Sequence, residues 1–221
     1  MRIGQRIGES ADLRLLKDED GLTLTDGKMS LRADFLPLLR RIRKTGLRKE
    51  MLLRAVRIRG NEQPLRILDA TAGFGEDAFI LAAGGCFVQM YEKDPVIGAL
   101  LEDALERGRK EEELSDILSR LRLVREDSVP VMRSLTQAVD VIYLDPMFPE
   151  RQKSGLVKKK FQLLQRLEQP CEDGESLLEA AKSAHPNKIV VKRPLKGEFL
   201  GGAVPDYTLK GSVIRYDCYS R

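Results

Sequence analysis

Along residues 65 to 221, short apolar runs alternate with stretches whose apolar side chains return every three or four positions. The runs read as strands at Leu65–Asp69, Phe87–Glu92, Leu121–Arg125, Val139–Asp145, Lys188–Lys192, Tyr207–Leu209 and Val213–Tyr219. The periodic stretches read as helices at Asp77–Ala83, Pro95–Arg107, Glu111–Leu118, Gly155–Leu167 and Gly174–Ala184. Strand–helix alternation predicts a mostly parallel, Rossmann-like α/β sheet with right-handed crossovers and helices on both faces. Only Lys210-Gly211-Ser212 separates the last two strands, so they should pair as a terminal antiparallel hairpin.

The first sixty residues follow other periods. GLTLTDGKMSLRADF alternates apolar and polar positions around Asp26-Gly27, the signal of a β-hairpin. From Leu38 to Val56 the spacing becomes helical, with Gly46 expected to break it in two. Asn61 to Pro64 reads as a linker. Residues 1–60 are therefore expected to form a small appendage, and residues 61–221 the main domain.

Composition narrows the class. A chain of 221 residues, 42% hydrophobic and 33% charged, suits one globular domain with a small addition. No apolar run approaches the roughly 20 residues that cross a bilayer, and MRIGQRIGES lacks the apolar core of a secretion signal. A cytoplasmic protein without membrane association is expected. The three cysteines, Cys86, Cys171 and Cys218, are far apart and odd in number, which suits reduced thiols. They show no metal-ligand spacing, and a single histidine, His185, disfavours a histidine-based metal centre or catalytic triad. No metal is expected.

Charge is unevenly placed. Residues 1–60 hold 15 Lys/Arg against 8 Asp/Glu, although the whole chain carries only +4. Arg40, Arg41, Arg43 and Lys44 open one basic cluster; Arg151, Lys153, Lys158, Lys159, Lys160 and Arg166 form another. Either run alone fits a solvated helix face. Two runs bracketing one candidate site fit a polyanion whose phosphates they would contact.

The candidate site begins at ILDATAGFGEDAF, Ile67 to Phe79. Here a strand ends in Asp69, and Gly73 and Gly75 allow a backbone turn close to a ligand. The next strand ends at Glu92, where a carboxylate can accept hydrogen bonds from two ribose hydroxyls. The third is followed by Asp127 and Ser128, placed to meet an adenine amino group. Three acids at three successive strand ends suit an adenosine laid across the sheet. Ala78 stands where a nicotinamide-binding turn needs its third glycine, and the acids Glu76 and Asp77 disfavour a diphosphate. The cationic sulfonium and ammonium of S-adenosylmethionine (SAM) tolerate those acids.

LDPMFP, Leu144 to Pro149, closes the fourth strand. Asp145 offers a carboxylate and Pro146 a carbonyl to the hydrogens of a planar amine, and Phe148 can stack on its ring. Proline removes a donor and stiffens the turn. Such a site suits SAM-dependent methylation of an exocyclic base nitrogen, driven by alignment rather than by a general base. A base within a helix must be extruded to reach it. At the end of the fifth strand, Lys192 and Arg193 read either as a pair facing the substrate and gripping phosphate or as a solvent-facing strand-end pair.

DATAGFGEDAF (69–79), GALLEDALERG (98–108), VIYLDPMFPERQKSGLVKKK (141–160) and KIVVKRP (188–194) together resemble the bacterial ribosomal RNA small-subunit methyltransferase J family. The resemblance runs from about Leu22 to the C-terminus and departs from the family pattern at LLRRIRKTGLRKE (38–50). It implies a SAM-dependent methyltransferase fold with the terminal hairpin, and methylation of guanine N2 in 16S ribosomal RNA. Carried over by position, cofactor contacts fall on Glu76, Asp77, Glu92, Lys93, Asp127, Ser128 and Asp145. Other possible readings are methylation of adenine N6 or a protein glutamine, a non-catalytic RNA-binding assembly factor, or a nicotinamide oxidoreductase.

Overall fold

A computed structural model describes residues 3–6, 13–147, 163 and 173–221. Four short strands, β1 (Ile3–Arg6), β2 (Arg14–Asp18), β3 (Gly21–Thr25) and β4 (Ser30–Leu31), form an antiparallel sheet. Thr25 pairs with Ser30 across the Asp26-Gly27 turn, as the alternation predicted. Asp26 Oδ1 accepts the N–H groups of Lys28 and Met29, and Gly27 adopts φ 87°.

Helix α1 (Leu36–Thr45) then stops at Gly46, whose φ of 81° favours glycine. A 3₁₀ turn at Leu47–Lys49 leads into α2 (Met51–Val56). At the far end of α2, the Lys188 ammonium donates to the carbonyls of Ala55 and Arg57 and so satisfies two exposed acceptors of the helix terminus.

The main sheet comprises β5 (Arg66–Asp69), β6 (Phe87–Tyr91), β7 (Leu121–Val124), β8 (Val141–Leu144), β9 (Lys188–Pro194), β10 (Tyr207–Lys210) and β11 (Ile214–Ser220). Their spatial order is β10-β11-β9-β8-β5-β6-β7. Strands β5 to β9 run parallel, while β11 is antiparallel to both β9 and β10. The terminal hairpin is present.

Strand alternation divides the core in two. Ile67, Met90, Val141, Tyr143, Val190 and Tyr216 share one buried cluster with α1, α2, α3 (Glu76–Ala83), α4 (Pro95–Gly108) and α5 (Glu112–Leu118). Leu68, Ile142, Leu144, Ile189, Val191 and Tyr219 pack on the other face, against α6 (Ser128–Arg133) and α7 (Gly174–Ser183). Each fully buried Leu, Ile or Val contributes about 1.5–3 kcal/mol relative to exposure.

Leu13, Leu24, Leu31 and Phe35 belong to the first cluster, so the N-terminal sheet packs continuously with the main core. Phe35 stacks on Phe79 of α3 at 5.3 Å. On α4, Asp103 accepts the Leu22 N–H at 2.9 Å, and Arg107 bonds both Asp103 and the Ala33 carbonyl. Gly21 lies so close to this pair that a Cβ would sit 2.3 Å from Arg107 Nε.

Two local features depart from the sequence expectation. SVPVMR forms α6, an element absent from the helices read in the sequence. Pro130 lies in the first turn, where its missing N–H costs nothing, and Asp127 caps the helix by accepting the Val129 N–H. Strand β8 starts two residues later than expected because Asp140 turns aside to accept the Arg66 N–H at 2.7 Å. The helix expected at Gly155–Leu167 lies outside the described residues apart from Leu163, a buried helical position.

Candidate active site

Strand order reverses between β5 and β8. A crevice at their carboxyl ends is where open α/β sheets bind ligands. The turn after β5 is fixed by backbone bonds: Ala70 N–H donates to Tyr143 O, Ala72 N–H to Tyr91 O, and Gly75 N–H to Ala72 O. Gly75, left-handed at φ 70°, starts α3 against Leu101 and Met90. Gly73 has φ 54°, and a Cβ on it would meet nothing within 4 Å. The turn therefore presents bare backbone to open space.

Carboxylates surround that turn. Glu92 accepts the Gly73 N–H at 2.9 Å with one oxygen and the Asp94 N–H at 2.8 Å with the other. Burial raises its pKa, and those two N–H groups pull it back down. Asp69, 1% exposed, accepts the Thr71 N–H. Burial pushes its pKa up to about 8 against that bond, and the charges of Asp77, Asp145 and Glu92 add to the rise. Ser128 donates its buried hydroxyl to Ala70 O at 2.9 Å and ties the β7 exit to the turn.

Beyond β8, Asp145 is held at two points. Its N–H donates to Thr71 Oγ1 at 2.6 Å, and its Oδ2 accepts from Lys192 Nζ at 2.9 Å. Lys192 also donates to Asp77 Oδ2 at 2.6 Å, and that oxygen takes the Tyr143 hydroxyl at 2.5 Å. The register explains the meeting. Leu144 pairs with Val191, so the next residues, Asp145 and Lys192, lie side by side, and Tyr216 of β11 pairs with Lys192. Burial raises the Asp145 pKa to about 6, opposed by Lys192 and reinforced by Asp77. Burial works against the Lys192 charge, yet Asp77 and Asp145 outweigh it and hold its pKa above the usual lysine range.

Asp69, Gly73, Gly75, Glu76, Asp77, Glu92, Lys93, Asp127, Ser128, Asp145 and Pro146 all fall at the carboxyl edge of the central strands or in the turns leaving it. Asp127 and Ser128 are also occupied structurally, as a helix cap and as the tie to Ala70. Phe148, Arg151, Lys153, Lys158, Lys159, Lys160 and Arg166 lie outside the described residues.

Lys192 and Arg193 do not act as a pair. Consecutive strand residues point to opposite faces, so Lys192 joins the carboxylates while Arg193, 6% exposed, is buried on the side of Arg215 and Asp217. The expectation of two adjacent phosphate-gripping cations is corrected on that ground. Thr71, Tyr143 and Tyr216 were missed as site residues. Alternation carried a signal for Tyr143, two residues before Asp145 and hence on its face.

Arg40, Arg41, Arg43 and Lys44 are exposed on α1. Arg41 pairs with Glu50 at 3.4 Å and Arg43 with Glu113. The following segment reaches the site edge: Met51 packs on Gly211 in the β10–β11 turn, and the charge of Glu50 acts on Tyr216.

Glu92, Asp77 and Asp145 around a side-chain-free glycine turn, with Asp69 buried beneath it, fit a nucleoside donor with a cationic head. With this strand order and antiparallel last strand, they define the protein class: a SAM-dependent methyltransferase, with SAM as its cofactor. The family described as "Putative SAM-dependent methyltransferase" matches residues 2–221. The ribosomal RNA small subunit methyltransferase J of Nitrosococcus oceani is 47% identical over 78% of this chain and 68% of its own. Its namesake in Pseudomonas savastanoi pv. phaseolicola is 40% identical over 98% of this chain and 85% of its own. The crystal structure of a SAM-dependent methyltransferase from Neisseria gonorrhoeae superposes with TM-score 0.78 at 29% identity, covering 98% of this chain and 85% of that one. The chain belongs to the ribosomal RNA small subunit methyltransferase J family.

Proposed function

We propose that this protein methylates the exocyclic N2 of a guanine in 16S ribosomal RNA. The observation that carries this reading is the junction of the Gly73 turn with Asp145 at the sheet's reversal point, tied directly through Thr71. The relatives' name, ribosomal RNA small subunit methyltransferase J, supports the substrate class. So does the exposed basic face of α1, which leads to the site edge at Glu50 and Met51.

When bound, SAM supplies an electrophilic methyl carbon. The remaining work falls to side chains of this chain. Glu92 accepts hydrogen bonds from ribose hydroxyls, Asp127 from an adenine amino group, and bare backbone at Gly73 allows close approach. Asp69, Gly75, Glu76, Asp77, Lys93 and Ser128 line or brace the same pocket.

Asp145 accepts an N–H of the base amine, and the Pro146 carbonyl accepts the second. Together they turn the nitrogen lone pair out of conjugation, toward the donor carbon. Phe148 stacks on the ring. Guanine suits an ionised carboxylate because its N1–H and N2–H donors lie on one edge, whereas adenine sets an acceptor beside its amine. Rate gain comes from alignment.

Arg40, Arg41, Arg43 and Lys44, with Arg151, Lys153, Lys158, Lys159 and Lys160, supply the phosphate contacts. Residues 1–60 act as an RNA-facing appendage to a catalytic domain at 61–221, and the protein works in the cytoplasm. Among the described residues no helix is long and apolar enough to cross a membrane.

Mass mapping of 16S ribosomal RNA from cells with and without the gene tests the assignment. One N2-methylguanine should vanish on deletion and return with the wild-type gene. A lost N6-methyladenine, or an unchanged RNA, overturns it.

A further inference from the structure

The carboxylate cluster contains a cation that neither the donor nor the base requires for contact. We propose that Lys192 is a positioning residue for methyl transfer: its ammonium, bridging Asp77 and Asp145, fixes Asp145 so that its second oxygen, Oδ1, meets the base amine. This rests on the guanine-methylating role given to Asp145 above.

The geometry restrains Asp145 from both ends. Thr71 holds its backbone N–H, and Lys192 holds Oδ2. The described residues place no hydrogen bond on Oδ1, and the side chain remains 35% exposed. Lys192 is restrained in turn by Asp77, whose Oδ2 also takes the Tyr143 hydroxyl from the centre of the sheet. An anchor on strand β9 is stiffer than one on a loop, which suits a group that must hold an acceptor in one orientation.

Charge points the same way. Asp145 faces Lys192 from β9, Asp77 from α3, Asp69 from β5, Tyr143 from β8 and Tyr216 from β11, and the charge of Arg193 acts on it from the other face of the sheet. The neighbouring Asp77 carboxylate disfavours its ionised form, and Lys192 is the cation bonded to it. Replacing that cation with an apolar chain leaves Asp77 and Asp145 repelling each other. Asp145 then binds a proton more readily, and a protonated carboxyl loses part of its capacity to accept.

Lys192→Met and Lys192→Arg separate this role from a phosphate contact. Carbon-13 titration of the aspartate carboxyls in the full chain without donor, with Asp145 assigned through Asp145→Asn, reads the ion clamp. Lys192→Met should raise the Asp145 midpoint by about one pH unit or more, and Lys192→Arg should restore most of that change. In methyl transfer to 16S ribosomal RNA, Lys192→Met should lower kcat about a hundredfold, the scale of a misplaced reacting group. KM for RNA and the Kd for S-adenosylhomocysteine should stay within about threefold, since the positions of uniformly bound groups are unchanged.

An unmoved midpoint and kcat, with raised KM and a flatter salt dependence, would make Lys192 a phosphate contact and end the proposal. Should Lys192→Met fail to fold, Asp77→Asn supplies the same reading. Removing that competing charge should lower the Asp145 midpoint, and an unchanged midpoint overturns the clamp. A wild-type protein that methylates no ribosomal RNA refutes the assigned function, while the titrations still judge the clamp on their own.

Discussion

Strands β9 and β11 carry a cation–carboxylate cluster on each face of the sheet, and the two differ in what they leave available. On one face, Arg215 donates through Nε to both oxygens of Asp217, which is 0% exposed and also accepts from Thr208. Its Nη1 donates to the carbonyls of Pro194, Leu195 and Gly197, and its plane lies over Phe199 at 5.0 Å. This cluster is closed: Asp217 is enclosed by Arg215 and Thr208 with Arg193 buried beside them, and the donors of Arg215 serve to hold the loop leaving β9. On the other face, Lys192 serves two carboxylates, and Asp145 keeps an accessible oxygen at the crevice. Surplus acceptor capacity beside a glycine turn is what methylation of an amine needs, so the open cluster should govern rate and the closed one stability.

The largest expected effect breaks the open cluster. Asp145→Ala should lower methyl transfer about a thousandfold, the scale of removing a preorganised group that acts in the transition state. RNA binding should persist, because the phosphate contacts lie elsewhere. Filter binding beside a single-turnover assay checks both, and equal activity in variant and wild type would remove Asp145 from the chemistry. Arg215→Met should act the other way. It leaves Asp217 buried without its cation and should cost roughly 3–5 kcal/mol of stability by urea denaturation. Molecules that remain folded should keep most of their kcat.

A third prediction concerns pH. In the fold Asp69 has a pKa of about 8, against an ordinary 3.8, so the native state holds a proton that the unfolded chain releases. The associated stability is full below pH 4 and is lost as pH rises toward 8. Asp69→Asn keeps a carbonyl for the Thr71 N–H and abolishes that loss. The variant should therefore gain on wild type by an amount on the order of a few kcal/mol between pH 5 and pH 9. Denaturation at three pH values decides it, and a constant difference means Asp69 ionises freely. Activity has its own acid limb. Asp145 must be ionised to accept from the base amine while bonded to Lys192, so turnover should fall as pH drops through about 6.

Much of the closed and open faces was legible in the chain, though unequally. Buried parallel strands announce themselves as apolar runs, and acids at their ends, Asp69, Glu92 and Asp145, stand out against those runs. Alternation within β9 was equally legible, and it forbids Lys192 and Arg193 from sharing a face; reading them as adjacent cations ignored the period of two. The link from Lys192 to Asp145 was not legible, because it needs β8 and β9 to be neighbours although they are more than forty residues apart. Thr71 was hidden for the same reason, since its hydroxyl matters only once β5 and β8 lie together. Helix α6 was masked by local chemistry: Pro130 breaks most helices and is tolerated only within a first turn.

The smallest expected effect tests whether the basic surface of α1 serves the open cluster. Arg40 and Lys44 are exposed there, with no ion pair to a described residue, whereas Arg43 pairs with Glu113 and Arg41 with Glu50. The exposed Arg43–Glu113 pair contributes about 0–1 kcal/mol to stability, so the Arg43 charge remains available to phosphate beside those of Arg40 and Lys44. Arg40→Ala with Lys44→Ala should raise KM for RNA several-fold and leave kcat at saturation unchanged. If each side chain neutralises one phosphate, the slope of log affinity against log salt should flatten by about 0.7 to 0.9 per charge removed. That outcome separates RNA docking from chemistry on the same molecule. A lowered kcat with an unchanged slope would instead mean that α1 braces the site through Glu50 and Met51, and the basic face would lose its assigned partner.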